Sequence, residues 1–354
     1  MCGESVVGAS GARPQGIPQA NKESAVKILK TAVIGLGIGK RHAMVLSQME
    51  CVQLVAVADL KRDLATPLAS QLGVRCYLDG MELLEKEKLD FVCVCTPPAS
   101  HLTFTKGAAQ RGFHVFCEKP MAPDLGDADG MIKACKDAGV KLMIGQKKRF
   151  QPAFSFVKEM TQKDFGPIRW AVVRYACGRV PLDWFWHEED GGGPLHENSV
   201  HAFDMLRHLM GEVERVYAEG GNLFNPDRAP QLDVASVSLR FKSGAVAAVG
   251  CGQAYEWAFA GETSFLACDK AIAEVRGSFD NPEHLRYIIR AEPGRIVEVN
   301  YGEKDLFRAE LAHFAECILN NKTPLVTGEE GRASIAVCLA VKQSIRTGKP
   351  VTPG

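Results

Sequence analysis

From Ile28 onward the chain alternates short apolar runs with helix-like segments in which apolar and polar positions are mixed. Runs at Thr31–Gly35, Val52–Asp59, Phe91–Thr96, Phe113–Cys117 and Val140–Gly145 read as strands, with helices around Arg41–Met49 and Leu64–Leu72. Asp127 and Asp129 open a further helix whose later turns carry Lys133 and Lys136 and which Gly139 stops, a charge order that suits the helix dipole. Strands alternating with helices of this length predict βαβ units and a parallel sheet. After about Arg149 the texture changes. Ile168–Tyr175, Val213–Gly220, Ala235–Phe241, Ala245–Cys251, Thr263–Cys268, Ala271–Arg276 and Ile296–Val299 follow as short strands, parted by turns such as Lys242–Gly244 and Gly277–Pro282. Strands in series favour antiparallel pairing. Helices at Leu306–Leu319 and Glu330–Arg346 close the chain, with Gly348 and Pro350 as the stop.

The predicted class is α/β: a doubly wound parallel-sheet domain over residues 27–148, then an α+β domain with a mainly antiparallel sheet over 149–354. Residues 1–26 hold four Gly, two Pro and three Ser; so little apolar bulk reads as a flexible leader. A length of 354 residues fits two domains. Lys plus Arg equals Asp plus Glu at 42 each, which argues against a nucleic-acid binder held by bulk charge. No apolar stretch reaches the roughly 18 residues of a membrane span. The twelve Cys are scattered, several within apolar runs, with no CxxC pair. They read as reduced, buried thiols of a cytoplasmic protein, not as a disulfide framework or a zinc site.

Gly35-Leu-Gly-Ile-Gly39 follows the first strand and precedes a helix. Gly35, Gly37, Ile38 and Gly39 are the expected contacts of a pyrophosphate, which would rest on the helix N-terminus. The third glycine comes one residue earlier than in G-x-G-x-x-G. Asp59 ends the second strand 20 residues after Gly39, where a carboxylate takes the ribose hydroxyls and repels a 2′-phosphate. NAD is therefore expected, with NADP open because Lys61 and Arg62 follow and could hold a phosphate if Asp59 turned away.

Thr96-Pro-Pro with His101, Glu118-Lys-Pro120 and Gly191-Gly-Gly-Pro-Leu-His-Glu-Asn-Ser-Val-His-Ala-Phe-Asp204 resemble the Gfo/Idh/MocA oxidoreductases. The likeness runs from about Lys27 to the C-terminus, through Gly145–Phe150 and Thr347–Val351. It implies a Rossmann domain followed by an α/β domain bearing the substrate site and an oligomer interface. Lys119 matches the family's lysine between nicotinamide and substrate. An ammonium there can hydrogen-bond the reacting oxygen. His201 matches the catalytic His, and an imidazole titrating near neutrality suits proton exchange with an alcohol. Glu197 stands where the family has Asp, and Ser199 where it has Gly. Glu197 becomes a substrate anchor or a partner of His201, and Asn198 a further substrate contact. Thr96, Pro97, His101, Glu118 and Arg149 are expected to line the cofactor pocket.

Glu197, His201, Asp204 and His208 step by four, three and four, so one helix would carry them on one face; His208 is read as structural. His196-Glu197 with His201 resembles HExxH, but two His five apart point roughly 140° from each other on a helix, so no metal is expected. Trp184, Trp186, Tyr255 and Trp257 are either walls for a sugar ring or core. The expected activity is an NAD(P)-dependent dehydrogenase for a sugar, sugar derivative or cyclitol, as a homo-oligomer joined through the C-terminal sheet. Two other functions share the residues: an NAD-dependent glycosidase that oxidises its substrate transiently, and a dinucleotide-sensing regulator without turnover. A sensor has no need of both Lys119 and His201.

Overall fold

The computed structural model describes residues 27–277 and 284–354; the leader and Ser278–Pro282 of the predicted turn lie outside the described residues. The first sheet comprises β1 (Leu29–Ile34), β2 (Val52–Ala58), β3 (Arg75–Tyr77), β4 (Phe91–Val94), β5 (His114–Cys117) and β6 (Leu142–Ile144). All pairings in it are parallel, in the order β3-β2-β1-β4-β5-β6. The connecting helices are α1 (Gly39–Leu46), α2 (Arg62–Leu72), α3 (Gly80–Lys86), α4 (His101–Ala109) and α5 (Leu125–Asp137). Strands covered on both faces must be apolar on both, and β4 is buried at all four positions. Strand order reverses between β1 and β4, which opens a crevice at their C-terminal ends. The cap of α5 is Asp124, whose carboxylate accepts the Asp127 N–H at 2.9 Å.

The chain continues through α6 (Pro152–Thr161) into β7 (Ile168–Ala176), α7 (Glu188–Gly191), α8 (Pro194–Glu197) and α9 (Val200–Met210). Next come β8 (Val213–Gly221), β9 (Val234–Phe241), β10 (Val246–Gly252), β11 (Gly261–Cys268), β12 (Ala271–Gly277), β13 (His284–Ile289) and β14 (Ile296–Asn300). These strands form an eight-stranded sheet ordered β14-β13-β12-β11-β7-β10-β9-β8. Among the described strands of this second sheet, only β7 and β10 pair in parallel. Its inner face, with Ala171, Val173, Val237, Val249 and Leu266, shares a core with α9 and with α11 (Gly328–Thr347).

The last helix pair departs from chain order. Phe307, Leu311, Phe314 and Ala315 of α10 (Leu306–Leu319) pack with Val33, Phe91, Cys93 and Phe116 of the first sheet. Thus α10, which a division at residue 149 places in the second unit, completes the core of the first. The eleven Cys among the described residues are all free thiols, nine of them buried. No described helix is long and apolar enough to cross a membrane.

Candidate active site

The glycine loop sits at the crevice. Gly35 has φ +86°, and a Cβ there would meet the Cys95 carbonyl carbon and oxygen and the Thr96 nitrogen at 2.7 Å, so the loop lies directly on the end of β4. Gly37 faces open space, with nothing within 4 Å of where a Cβ would stand. The start of α1 carries no side-chain cap and no acidic residue in its first turn, which leaves its N–H groups for an anion. Asp59 accepts the Leu36 N–H at 2.7 Å through one oxygen and the Lys61 N–H at 2.8 Å through the other. It therefore braces the loop, is not turned away, and keeps lone pairs for ribose hydroxyls. Gly35, Gly37, Ile38, Gly39 and Asp59, with Thr96 and Pro97 across the crevice, fit a dinucleotide; with a carboxylate at the ribose, they fit NAD better than NADP.

Lys119 lies just beyond β5, and its Nζ reaches α8. It donates to the Glu197 carbonyl oxygen at 3.0 Å and also pairs with the Glu197 carboxylate. The lysine side chain keeps 18% exposure at the cleft. Gly192 and Gly193 turn the chain before α8 with φ of +81° and +77°, and at Gly192 a Cβ would strike the His196 ring at 2.6 Å. His196 accounts for that crowding: its Nε2 hydrogen-bonds the Ala122 carbonyl oxygen at 2.9 Å, tying α8 to the loop after Lys119.

His201 sits on α9, 5% exposed, with no partner for Nδ1. Burial pushes its imidazole well below the ordinary range, and the charges of Lys119, Lys147 and Lys148 push it further. The imidazole is thus held toward its neutral form, on the acid side of the titration near neutrality expected from the sequence. Burial raises the Glu197 carboxyl, while Lys119 opposes the rise.

Several expected positions differ. The single helix face is broken, because α8 ends at Glu197 and α9 begins at Val200. No hydrogen bond joins Glu197 to His201 among the described residues, so Glu197 orients the lysine and not the imidazole. The break also removes the helical-angle argument about His196 and His201; what occupies His196 is its bond to Ala122. His101 is fully buried, with Nε2 at 2.7 Å from the Thr96 carbonyl oxygen and Nδ1 at 3.1 Å from that of Met121. It is a strut between the two loops and does not face the crevice. Glu118, 5% exposed, is taken up by His42 and the Lys119 N–H. Arg149 holds Asp204 through two bonds of 2.8 and 2.7 Å and Glu330 through one of 2.7 Å, so its guanidinium is engaged in joining α9 to α11. Asn198 donates to the Cys177 sulfur at 3.1 Å, beside Lys119 and Glu197. Trp186 is core at 1% exposure, while Trp257 is 54% exposed and lies on Gly178.

Two residues escaped the sequence reading. His42 lies one turn into α1 and bonds Glu118 at 2.6 Å. Glu310 interrupts the apolar stripe Phe307, Leu311, Phe314 of α10; a carboxylate on a buried stripe was the available signal. Together with Glu118 they form a buried cluster with one ligand-type atom of each within 4.8 Å of the others.

The profile described as "Oxidoreductase family, NAD-binding Rossmann fold" matches residues 29–146. Its companion, "Oxidoreductase family, C-terminal alpha/beta domain", matches 158–352. A myo-inositol 2-dehydrogenase of Thermotoga maritima is 32% identical over 342 residues, which span 91% of this chain and 98% of that protein. A 2,7-anhydro-N-acetylneuraminate hydratase of Escherichia coli is 30% identical over 240 residues, 65% of this chain and 63% of its own. The crystal structure of an aldose-aldose oxidoreductase from Caulobacter crescentus, complexed with glycerol, superposes with TM-score 0.83 at 27% identity, covering 92% of this chain and 100% of that one. Two sheets of these topologies, a glycine loop at the switch point and the two profile matches end to end show that the chain belongs to the Gfo/Idh/MocA oxidoreductase family.

Proposed function

We propose that the protein is an NAD-dependent dehydrogenase that oxidises a hydroxyl-bearing carbon of a sugar, sugar derivative or cyclitol. The observation that carries this reading is the grip of Glu197 on Lys119. An ammonium has three N–H donors; the Glu197 carbonyl and carboxylate take two, and the third is left for the reacting oxygen. NAD, when bound, supplies the hydride acceptor. Lys119 then stabilises negative charge on the oxygen as its proton leaves. His201, kept neutral by burial and by the lysines around it, accepts that proton. Glu197 fixes the lysine in place, and Asn198 with Cys177 borders the same cleft.

The named dehydrogenase relatives support a polyhydroxylated substrate. A panel of sugars, sugar derivatives and cyclitols, run with NAD and with NADP, tests it through absorbance of the reduced nicotinamide. Net NADH is the expected result. Release of a leaving group or hydration without net NADH, toward which the hydratase relative would point, replaces the dehydrogenase reading. Cofactor binding without turnover of any kind overturns catalysis altogether.

The outer face of the second sheet supports assembly with further copies of this chain. Trp170, Val172 and Val246 are 47%, 40% and 40% exposed, Trp170 pairs with Val246 across the strands, and Phe265 packs on Trp170. An apolar patch of this kind is costly to leave in water. Light scattering from the eluting protein reads the copy number, and a monomer at micromolar concentration rejects the interface. The free thiols support a reducing, cytoplasmic setting.

A further inference from the structure

Behind Lys119, three parts of the chain bring ionisable side chains together in the interior: His42 on α1, Glu118 after β5 and Glu310 on α10. His42 and Glu310 are fully buried. Glu118 is well satisfied, with one oxygen 2.6 Å from His42 Nε2 and the other accepting the Lys119 N–H at 3.0 Å. Glu310 is not. Among the described residues, neither of its carboxyl oxygens has a partner, and neither has Nδ1 of His42. The surroundings are apolar, since the His42 ring lies 5.3 Å from that of Phe116 and 5.1 Å from that of Phe307. The other ionisable groups facing Glu310 are Lys147 after β6, Cys93 on β4, Cys95 just after it and Asp305 at the head of α10.

Two carboxylates this close, in an apolar interior, repel strongly, and one of them takes up a proton. Hydrogen bonds decide which. Glu118 has donors on both oxygens, and Glu310 has none. We infer that Glu310 is a positioning residue which remains a neutral carboxylic acid, so that anionic Glu118 keeps both hydrogen bonds and, through one of them, holds the backbone of Lys119. Environment separates the two groups in the same direction. Burial drives Glu310 well up, reinforced by Glu118 and opposed by Lys147. Burial would raise Glu118 too, but the His42 bond and charge, together with Lys119, outweigh it and hold it low. Two carboxyls pushed apart in this way share a single proton. When Glu310 does ionise, its repulsion competes with the bonds of Glu118, and the catalytic loop loosens. The inference rests on Lys119 acting as proposed above only for its kinetic consequence.

Infrared difference spectroscopy of wild type against Glu310→Gln tests the proton itself and needs no turnover. A neutral-acid carbonyl stretch is expected in the wild type at pH 7, and Glu310→Gln should remove it. In kinetics, Glu310→Gln keeps a neutral side chain of the same shape, so kcat at pH 7 should stay within about threefold, while the alkaline limb moves up by about one pH unit or more. Glu310→Ala, which leaves a hole, should cost at least about tenfold in kcat. Absence of the band, or an alkaline limb that does not move in Glu310→Gln, overturns the inference. So does a stoichiometric divalent cation that the purified wild type retains and Glu310→Gln loses, since the three side chains would then be its ligands. Normal kcat in Lys119→Ala with the infrared band intact would remove the catalytic reading of Lys119 and leave the proton on Glu310.

Discussion

At the scale of single residues, the two groups nearest the reaction should fail differently. Lys119→Ala removes the donor proposed to meet the reacting oxygen, so kcat should fall by about 10²–10³, the usual worth of one such donor. NADH affinity, read by fluorescence titration, should change little, and a near-normal kcat would remove Lys119 from the mechanism. His201→Asn should lower kcat by about 10²–10⁴. On its acid side the wild-type rate should fall only well below the 6.5 of an ordinary imidazole, because burial and three lysines resist protonation of His201. The variant should lose that limb. Asp59 braces the glycine loop and is proposed to meet the ribose, so Asp59→Ala should weaken NAD by about 10- to 100-fold, the worth of one or two charge-assisted bonds. It should also narrow the preference over NADP; a wild type that already prefers NADP contradicts the role given to Asp59. Lys119, Glu197 and His201 could be singled out by residue type and spacing, and the fold brings them close to one another. His42 and Glu310 could not be singled out, because their meaning depends on Glu118, which is distant from both in sequence.

Among elements, Arg149 separates structural from functional readings. It follows β6, where a cationic side chain near a dinucleotide looks like a ligand, yet the pair it forms with Asp204 is sealed, with side chains 3% and 1% exposed. Ser334 on α11 also donates to Asp204 at 2.8 Å. Arg149→Ala leaves a buried carboxylate uncompensated and should cost about 3–5 kcal/mol, read from the urea midpoint, with NAD affinity in the folded fraction nearly unchanged. A large loss of affinity at normal stability would return Arg149 to the cofactor pocket. Long apolar strands and both closing helices were readable from pattern; α10 spans Leu306–Leu319 as expected. The three-residue β3 and the half-exposed β13 were not, since neither offers a run or an alternation long enough to register. The break between α8 and α9 has no Pro or Gly at Asn198-Ser199 to announce it, and so spacing alone drew one helix through it.

For the whole molecule, buried imidazoles set the response to acid. Burial pushes His196 and His208 down to about 4, and lowers His101 and His201 as well. Between about pH 6.5 and 4 the unfolded chain therefore binds protons that the native chain refuses, and stability falls as pH falls. Each fully buried imidazole contributes up to about 1.4 kcal/mol per pH unit in that window. Glu197 and Glu310, raised by burial, act in the opposite sense and offset part of the loss. Urea midpoints measured across the window should drop steadily, and a flat profile would contradict the burial of these rings. The two-sheet plan was legible from the switch between alternating and serial strands, whereas the return of α10 to the first sheet was not, because chain order says nothing about which core a late helix completes. That return has a consequence during synthesis. A ribosome adding about 5–20 residues per second needs roughly 9–35 s to pass from the end of β6 to the end of α10. Throughout that interval the face of the nascent dinucleotide fold that carries Val33, Phe91 and Phe116 waits uncovered, which makes it the surface a chaperone would meet first.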